Sequence, residues 1–171
     1  MSWIQTYTAK QFFPLDARLD DIEIDDIAHG LSLQCRFNGH CRCFYSVAEH
    51  SVRVSHAVPT GHERWGLLHD AGEAYLSDLP RPIKQELPAF SEFEDRLLQI
   101  IAQRYSLPWP IPPEVLEADN RLLVTEARDL MGPPPASWGM EDVVPLAETI
   151  EPWSAAEAEQ RFLARFRELG S

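Results

Sequence analysis

Between His69 and Asp78 the chain sets four ionisable side chains, His69, Asp70, Glu73 and Asp78, into an apolar pattern of helical spacing made by Leu67, Leu68, Ala71, Ala74 and Tyr75. A buried helix that carries charge needs something to answer it. On a helix, His69 and Glu73 are four apart and share a face, while Asp70 reaches the same point from one position round. A divalent cation satisfies all three.

Two residues elsewhere extend the set: His50 on the preceding helix and Asp119 on a later one. Two imidazoles and two carboxylates suit a divalent transition metal or a magnesium-like ion, whose charge the carboxylates offset, and leave positions for water and substrate. The same residues also read as a hydrogen-bonded buried His69–Asp70 pair with Asp119 exposed on its helix. The sequence leaves both readings open.

The elements that must position these groups follow from periodicity and caps. Residues 3 to 13 are β-leaning and predict a short ribbon ended by Pro14. From Asp25, capped by Asp25 or Asp26, the run Ile27, Ala28, Leu31, Leu33, Cys35 predicts a helix that stops near Asn38-Gly39. Ser46-Val-Ala-Glu49 reads as a capping box that opens the helix carrying His50, closed by Pro59-Thr60-Gly61. One helix is then predicted from about His62 to Leu76, and an extended segment over Asp78-Leu-Pro80-Arg-Pro82, with Lys84 at its end.

A second capping box, Ser91-Glu-Phe-Glu94, predicts the next helix start, and a further helix runs from about Pro113 to Met131 with Asp119 within it. Residues 136 to 152 read as a long loop packed by Trp138, Met140 and Trp153, before a final amphipathic helix from Ser154 to Leu169. There Phe162 and Phe166 form an aromatic stripe, either core or a dimer seam. With no repeat or linker, the 171 residues predict a single all-α domain, a bundle of about six helices with a short N-terminal β-ribbon.

Fifteen basic residues against 27 acidic ones give a net charge of −12, which repels a polymeric nucleic acid. Only Lys10 and Lys84 are lysines, so a small anion would meet guanidinium groups. The three cysteines, Cys35, Cys41 and Cys43, crowd one short window in odd number, which suits a reducing compartment, and neither a leader-like N-terminus nor a membrane-length apolar run is evident. A cytoplasmic protein without a membrane partner is expected. The Cys35, His40, Cys41, Cys43 spacing matches none of the common zinc sites. His40, in the turn after Arg36, is a pocket candidate, and His29 is either pocket-lining or a hydrogen-bonded core residue.

The order Ser46-Val-Ala-Glu-His50, Leu68-His69-Asp70-Ala-Gly-Glu73, Asp78-Leu-Pro-Arg-Pro-Ile-Lys84, Ala118-Asp119 resembles the HD-domain phosphohydrolases, and within them the small 5'-deoxynucleotidase-like branch that includes short phage and prophage proteins. The likeness covers roughly residues 1 to 130. It implies an HD-type helical bundle with one divalent ion, Mn, Co, Zn, Fe, Ni or Mg, held by His50, His69, Asp70 and Asp119. Glu73 would orient or deprotonate the attacking water, and Asp78 would lie near the leaving oxygen or the sugar.

By the same likeness Arg36 matches a phosphate-contacting arginine, which Lys84 would assist. Phe37 falls where the branch carries a bulky aromatic, usually tryptophan, against a 2'-hydroxyl. All six histidines lie at or before the His-Asp pair, whereas relatives with several metals add histidines downstream, so a mononuclear site is implied. The implied reaction is hydrolysis of a deoxynucleoside 5'-monophosphate. The alternatives are a triphosphohydrolase releasing tripolyphosphate from a deoxynucleoside triphosphate, or a nucleotide-binding module without turnover. By analogy with such relatives, a homodimer or higher homo-oligomer is expected.

Overall fold

The computed structural model describes residues 2–170. A two-stranded antiparallel ribbon, β1 (Ile4–Gln5) and β2 (Gln11–Phe12), pairs Ile4 with Phe12. The helices that follow are α1 (Ile24–Leu33), α2 (Val47–Ala57), α3 (Glu63–Leu68), α4 (Glu73–Leu76), α5 (Arg81–Gln85), α6 (Pro88–Arg104), α7 (Pro113–Leu130) and α8 (Ala155–Glu168). The expected all-helical class with an N-terminal ribbon is what the chain adopts.

Helix α2 is the hub, packed against α1, α3, α7 and α8. It opens as its sequence says, the Ser46 hydroxyl accepting the Glu49 N–H at 3.1 Å. The reciprocal half of the capping box does not form. The Glu49 carboxylate, fully buried, instead accepts from Arg53 and from the Trp153 N–H at 2.8 Å, which ties α2 to the start of α8. Helix α3 lies close on α2 because residue 66 is glycine: a Cβ there would stand 2.8 Å from the Ser55 Cα. Phe162 and Phe166 of α8 are buried against this layer, so the aromatic stripe is core.

Several boundaries depart from expectation. The predicted 62–76 helix is broken: α3 ends at Leu68, and His69 to Gly72 tighten into turns with Ala71 N–H bonded to the Leu68 carbonyl and Glu73 N–H to that of Asp70. Helix α1 stops at Leu33 rather than near Asn38, because residues 34–36 pair with 45–47 through Arg36 N–H to Tyr45 O and Val47 N–H to Gln34 O. Neither Asp25 nor Asp26 caps it. Both Asp26 oxygens are taken by the Thr8 N–H and hydroxyl, which pins the ribbon to α1.

Ser91 does not open α6, which starts three residues earlier on Pro88 at its first position, and Glu94 turns to Lys84. Pro82 sits in the first turn of α5, so the extended segment ends at Pro80. The loop after α7 is held along the helix rather than by Trp138, which is 47% exposed. Thr125 Oγ1 accepts the Leu146 N–H, Asp129 accepts the Ile150 N–H, and Arg128 donates to the Leu146 and Glu148 carbonyls. Trp153 does pack as expected, with the Arg53 and Arg161 guanidinium carbons 4.9 and 4.1 Å from its ring.

Candidate metal centre

Three elements bring His50 (α2), His69 (the turn after α3) and Asp119 (α7) together, one donor atom of each lying within 4.8 Å of the others. The His50 and His69 Nε2 atoms are 3.3 Å apart, and Asp119 Oδ1 is 3.1 Å from His50 Nε2. Asp70 Oδ2 stands 3.6 Å from His50 Nε2 and 3.2 Å from His69 Nε2. The imidazoles are buried, while Asp70 and Asp119 keep 19% and 27% of their side chains exposed, so the cluster opens on its carboxylate side.

The opposite edge of each ring is committed. His69 Nδ1 lies 2.9 Å from the Gly66 carbonyl oxygen, which can only accept, so that nitrogen carries the proton. His50 Nδ1 lies 2.6 Å from Glu126 Oε1, which fixes the same tautomer. Both Nε2 lone pairs are therefore aimed at one point beside two carboxylates. Without an ion, two lone pairs 3.3 Å apart repel unless a proton sits between them; with one, they are ligands, and their N–H partners are the outer supports that metal-bound histidines ordinarily have. The donor set fits a divalent ion.

Electrostatics agree with this arrangement. Burial and Arg36 favour a neutral His50, but Glu126 and Asp119 outweigh them and raise it to about 9. Burial opposes a charged His69 as well, and Asp70 reverses the balance and raises it. Asp70 and Asp119 resist burial and stay ionised, held below the usual carboxylate range by His69 and His50 respectively.

Glu126 was not singled out by sequence. It is fully buried, and its second oxygen accepts the Arg36 Nε–H at 3.0 Å. Its only signal is position, seven residues after Asp119 and on the stripe of Val115, Ala118 and Leu122 that α7 buries. Arg36, also buried, places NH1 3.7 Å from Asp70 Oδ2, and its proton is held above the ordinary arginine value: burial opposes this, but Glu126, Asp119 and Asp70 prevail. Gln34 was likewise missed. Its amide spans α4, donating to the Glu73 carbonyl at 2.9 Å and accepting the Asp78 N–H at 3.2 Å.

Glu73 Oε2 is buried with no hydrogen-bond partner among the described residues. Burial, then the Asp70 and Asp78 charges, raise this carboxyl well above its ordinary range. Asp78 is also raised, by burial first and by Asp70, while Arg36 opposes. Between them Ser77 has φ 74° and ψ 153°, a conformation that glycine alone adopts freely.

The other expected pocket residues are placed differently. Lys84 is committed to Glu94 at 2.8 Å on α6, although it lies within the field of Glu73 and Asp78. Phe37 lies half-buried between Arg36, whose guanidinium carbon is 5.6 Å from the ring centre, and Trp138, at 6.4 Å between ring centres. His40 is exposed, with no side-chain hydrogen bond among the described residues. His29 is neither pocket nor deep core: it stacks on Tyr7 at 3.8 Å and pairs with Glu159. Among the described residues the cysteines and His40 do not assemble as a metal-ligand group, and Cys35, Cys41 and Cys43 are free thiols.

Fold and site together define a helical protein with a buried two-histidine, carboxylate-lined candidate metal centre. No family model matches the chain. It is 39% identical over 171 residues, 99% of this chain and 96% of the relative, to the uncharacterized protein YfdR of Escherichia coli K12. It is 36% identical over 137 residues, 74% of this chain and 70% of the relative, to the uncharacterized protein RCAP_rcc00048 of Rhodobacter capsulatus. The chain belongs to the family of these proteins. Among the described residues no helix is long and apolar enough to cross a membrane.

Proposed function

We propose that the protein is a metal-dependent phosphohydrolase of the HD-domain type, acting on deoxynucleotides and hydrolysing a deoxynucleoside 5'-monophosphate to deoxynucleoside and phosphate. The observation that carries the reading is the pair of imidazoles whose Nδ1 protons are taken by Glu126 and Gly66 and whose Nε2 atoms converge beside Asp70 and Asp119. A divalent ion held by these four residues would supply Lewis-acid polarisation of a phosphoryl oxygen and a lowered pKa for an associated water.

The chain's own groups supply the rest. Arg36, buried beside Asp70, holds a permanent positive charge next to the cluster, where a phosphate dianion needs one. Glu73, with an unpartnered buried oxygen and a raised proton affinity, is a stronger base than an ordinary carboxylate once ionised and takes the proton of the attacking water. Asp78, raised as well, returns a proton to the leaving oxygen. Lys84 holds Glu94 and adds its charge to the field of both carboxyls.

The test is a product assay on protein loaded with manganese or cobalt, offered every deoxynucleoside mono- and triphosphate beside an Asp70→Ala control. Free phosphate from monophosphates, lost in the control, supports the reading. Tripolyphosphate from a triphosphate replaces it with a triphosphohydrolase. Nucleotide binding without turnover under any of these metals replaces it with a binding module.

A further inference from the structure

The turn that presents Arg36 and Phe37 is flanked by two thiols in contact. Cys35 precedes it and Cys41 follows it, their Sγ atoms are 3.6 Å apart, and both are half-buried. The Cys41 thiol also donates to the Arg36 carbonyl oxygen at 3.6 Å. Outside the turn the backbone is anchored, by Arg36 N–H to Tyr45 O at 2.9 Å and by Arg42 N–H to Leu130 O at 2.8 Å. Inside it Phe37, Asn38 and Gly39 have φ of 55°, 51° and 75°, so two residues that are not glycine hold a left-handed conformation. A short strained turn with fixed ends is thus closed by a sulfur–sulfur contact.

We propose that Cys35 and Cys41 form a modification site, a dithiol that exchanges with a low-molecular-weight disulfide of the glutathione class to close an internal disulfide across the Arg36–Gly39 turn. The Cys35 thiol gives its proton to solvent and its thiolate attacks one sulfur of the small disulfide, expelling one small thiolate, which takes up a proton, and leaving a mixed disulfide on Cys35. Cys41 then gives its proton to solvent and attacks the Cys35 sulfur, expelling the second small thiol. Two protein thiols are oxidised, one small disulfide is reduced to two thiols, and no other reactant is needed.

The order of attack follows from the surroundings. Cys41 is pushed up to about 11, by burial first and then by the hydrogen bond and charge of Cys35, which makes it a poor first nucleophile. A disulfide is about 2.05 Å long, so the sulfurs close by about 1.5 Å. With both ends anchored, the turn absorbs this at Phe37 and Asn38, and the Arg36 carbonyl that accepts from Cys41 turns with it. Closure of the disulfide does not depend on the phosphohydrolase reading; its effect on turnover does.

The experiment incubates the reduced full-length protein with excess glutathione disulfide, alkylates the remaining thiols and maps the peptides by mass spectrometry. A Cys35–Cys41 link is expected in the wild-type chain and in Cys43→Ser, and not in Cys35→Ser or Cys41→Ser. On the phosphohydrolase reading, kcat/KM falls about tenfold on oxidation, the worth of one displaced charge-assisted contact, and dithiothreitol restores it. A wild-type chain with Cys35 and Cys41 still free, modified at Cys43 alone, or linked as Cys41–Cys43 or between chains overturns the proposal. The link is read by mass, so a preparation that forms it but hydrolyses no nucleotide sinks the enzyme reading and leaves this one standing.

Discussion

Glu126→Gln tests how the centre is oriented. The Glu126 carboxylate accepts from two donors at once, His50 Nδ1 at 2.6 Å and Arg36 Nε at 3.0 Å, with no solvent to substitute for either. Glutamine keeps the shape but offers one acceptor and one donor group. Arginine cannot surrender its proton, so the amide oxygen stays with Arg36 and the amide N–H turns to His50. His50 must then accept at Nδ1 and carry its proton on Nε2, facing the cluster.

Losing an outer support of a metal-bound histidine costs about 10–100-fold in metal affinity, about 1.4–2.8 kcal/mol, and the wrong tautomer places this variant at the upper end. Glu126→Ala goes further, since it removes the nearer partner of the buried Arg36 charge and leaves only Asp70 at 3.7 Å, and it destabilises the fold by about 3–5 kcal/mol. Competition titration of manganese or zinc against a chelator measures the first effect, nitrogen chemical shifts of His50 report the tautomer, and a urea midpoint measures the second. A Glu126→Gln protein that folds and binds metal as tightly as wild type refutes the reasoning.

Other perturbations follow from features already described. Gly66→Ala drives a Cβ to 2.8 Å from the Ser55 Cα and displaces the carbonyl that orients His69, so stability should fall by about 1–3 kcal/mol and metal affinity with it; an unchanged melting curve would count against the close approach. Ser77→Gly relieves a backbone conformation costing about 1–3 kcal/mol, partly offset by the entropy of glycine, so the denaturant midpoint should rise; on the proposed phosphohydrolase reading, turnover should weaken as Asp78 loses its fixed direction. Asp129 is held below its ordinary value chiefly by Arg128, and also by the Ile150 N–H. Its stabilisation is therefore present above about pH 4 and is lost as pH falls through the depressed value. Asp129→Asn should flatten the acid limb of stability between about pH 5 and pH 2, and an unaltered slope in urea midpoints would refute that.

What the sequence made legible was set by local chemistry. Helix α8 begins after Ser154 and α2 after Ser46 because those hydroxyls bond nearby N–H groups, whatever the rest of the chain does. His50, His69 and Asp119 lie together in the fold, with Asp70 against both rings. The misses are tertiary. The apolar period through 62–76 continues across His69–Gly72, yet the chain tightens there, and Gln34, from a remote segment, holds the piece beyond the break. Ser91 and Glu94 satisfy a capping pattern, but Pro88 had already opened that helix and Lys84 claims the carboxylate. Glu126 shows in sequence only its place on the apolar stripe of α7; its partners His50 and Arg36 are both far away in the chain.

The stapling of residues 146–150 onto α7 gives this helix two loads. One side carries Asp119 and Glu126; Thr125, Arg128 and Asp129 anchor the returning chain. The Leu146 and Ile150 amides, though in a stretch without regular structure, are locked to helix side chains and should exchange with solvent only when α7 itself opens. The strap and the helix thus unzip as one cooperative unit. Length changes at the 133–142 tip are absorbed there, whereas a change at Thr125 or Asp129 loosens the tether on the rod that bears two of the centre's carboxylates.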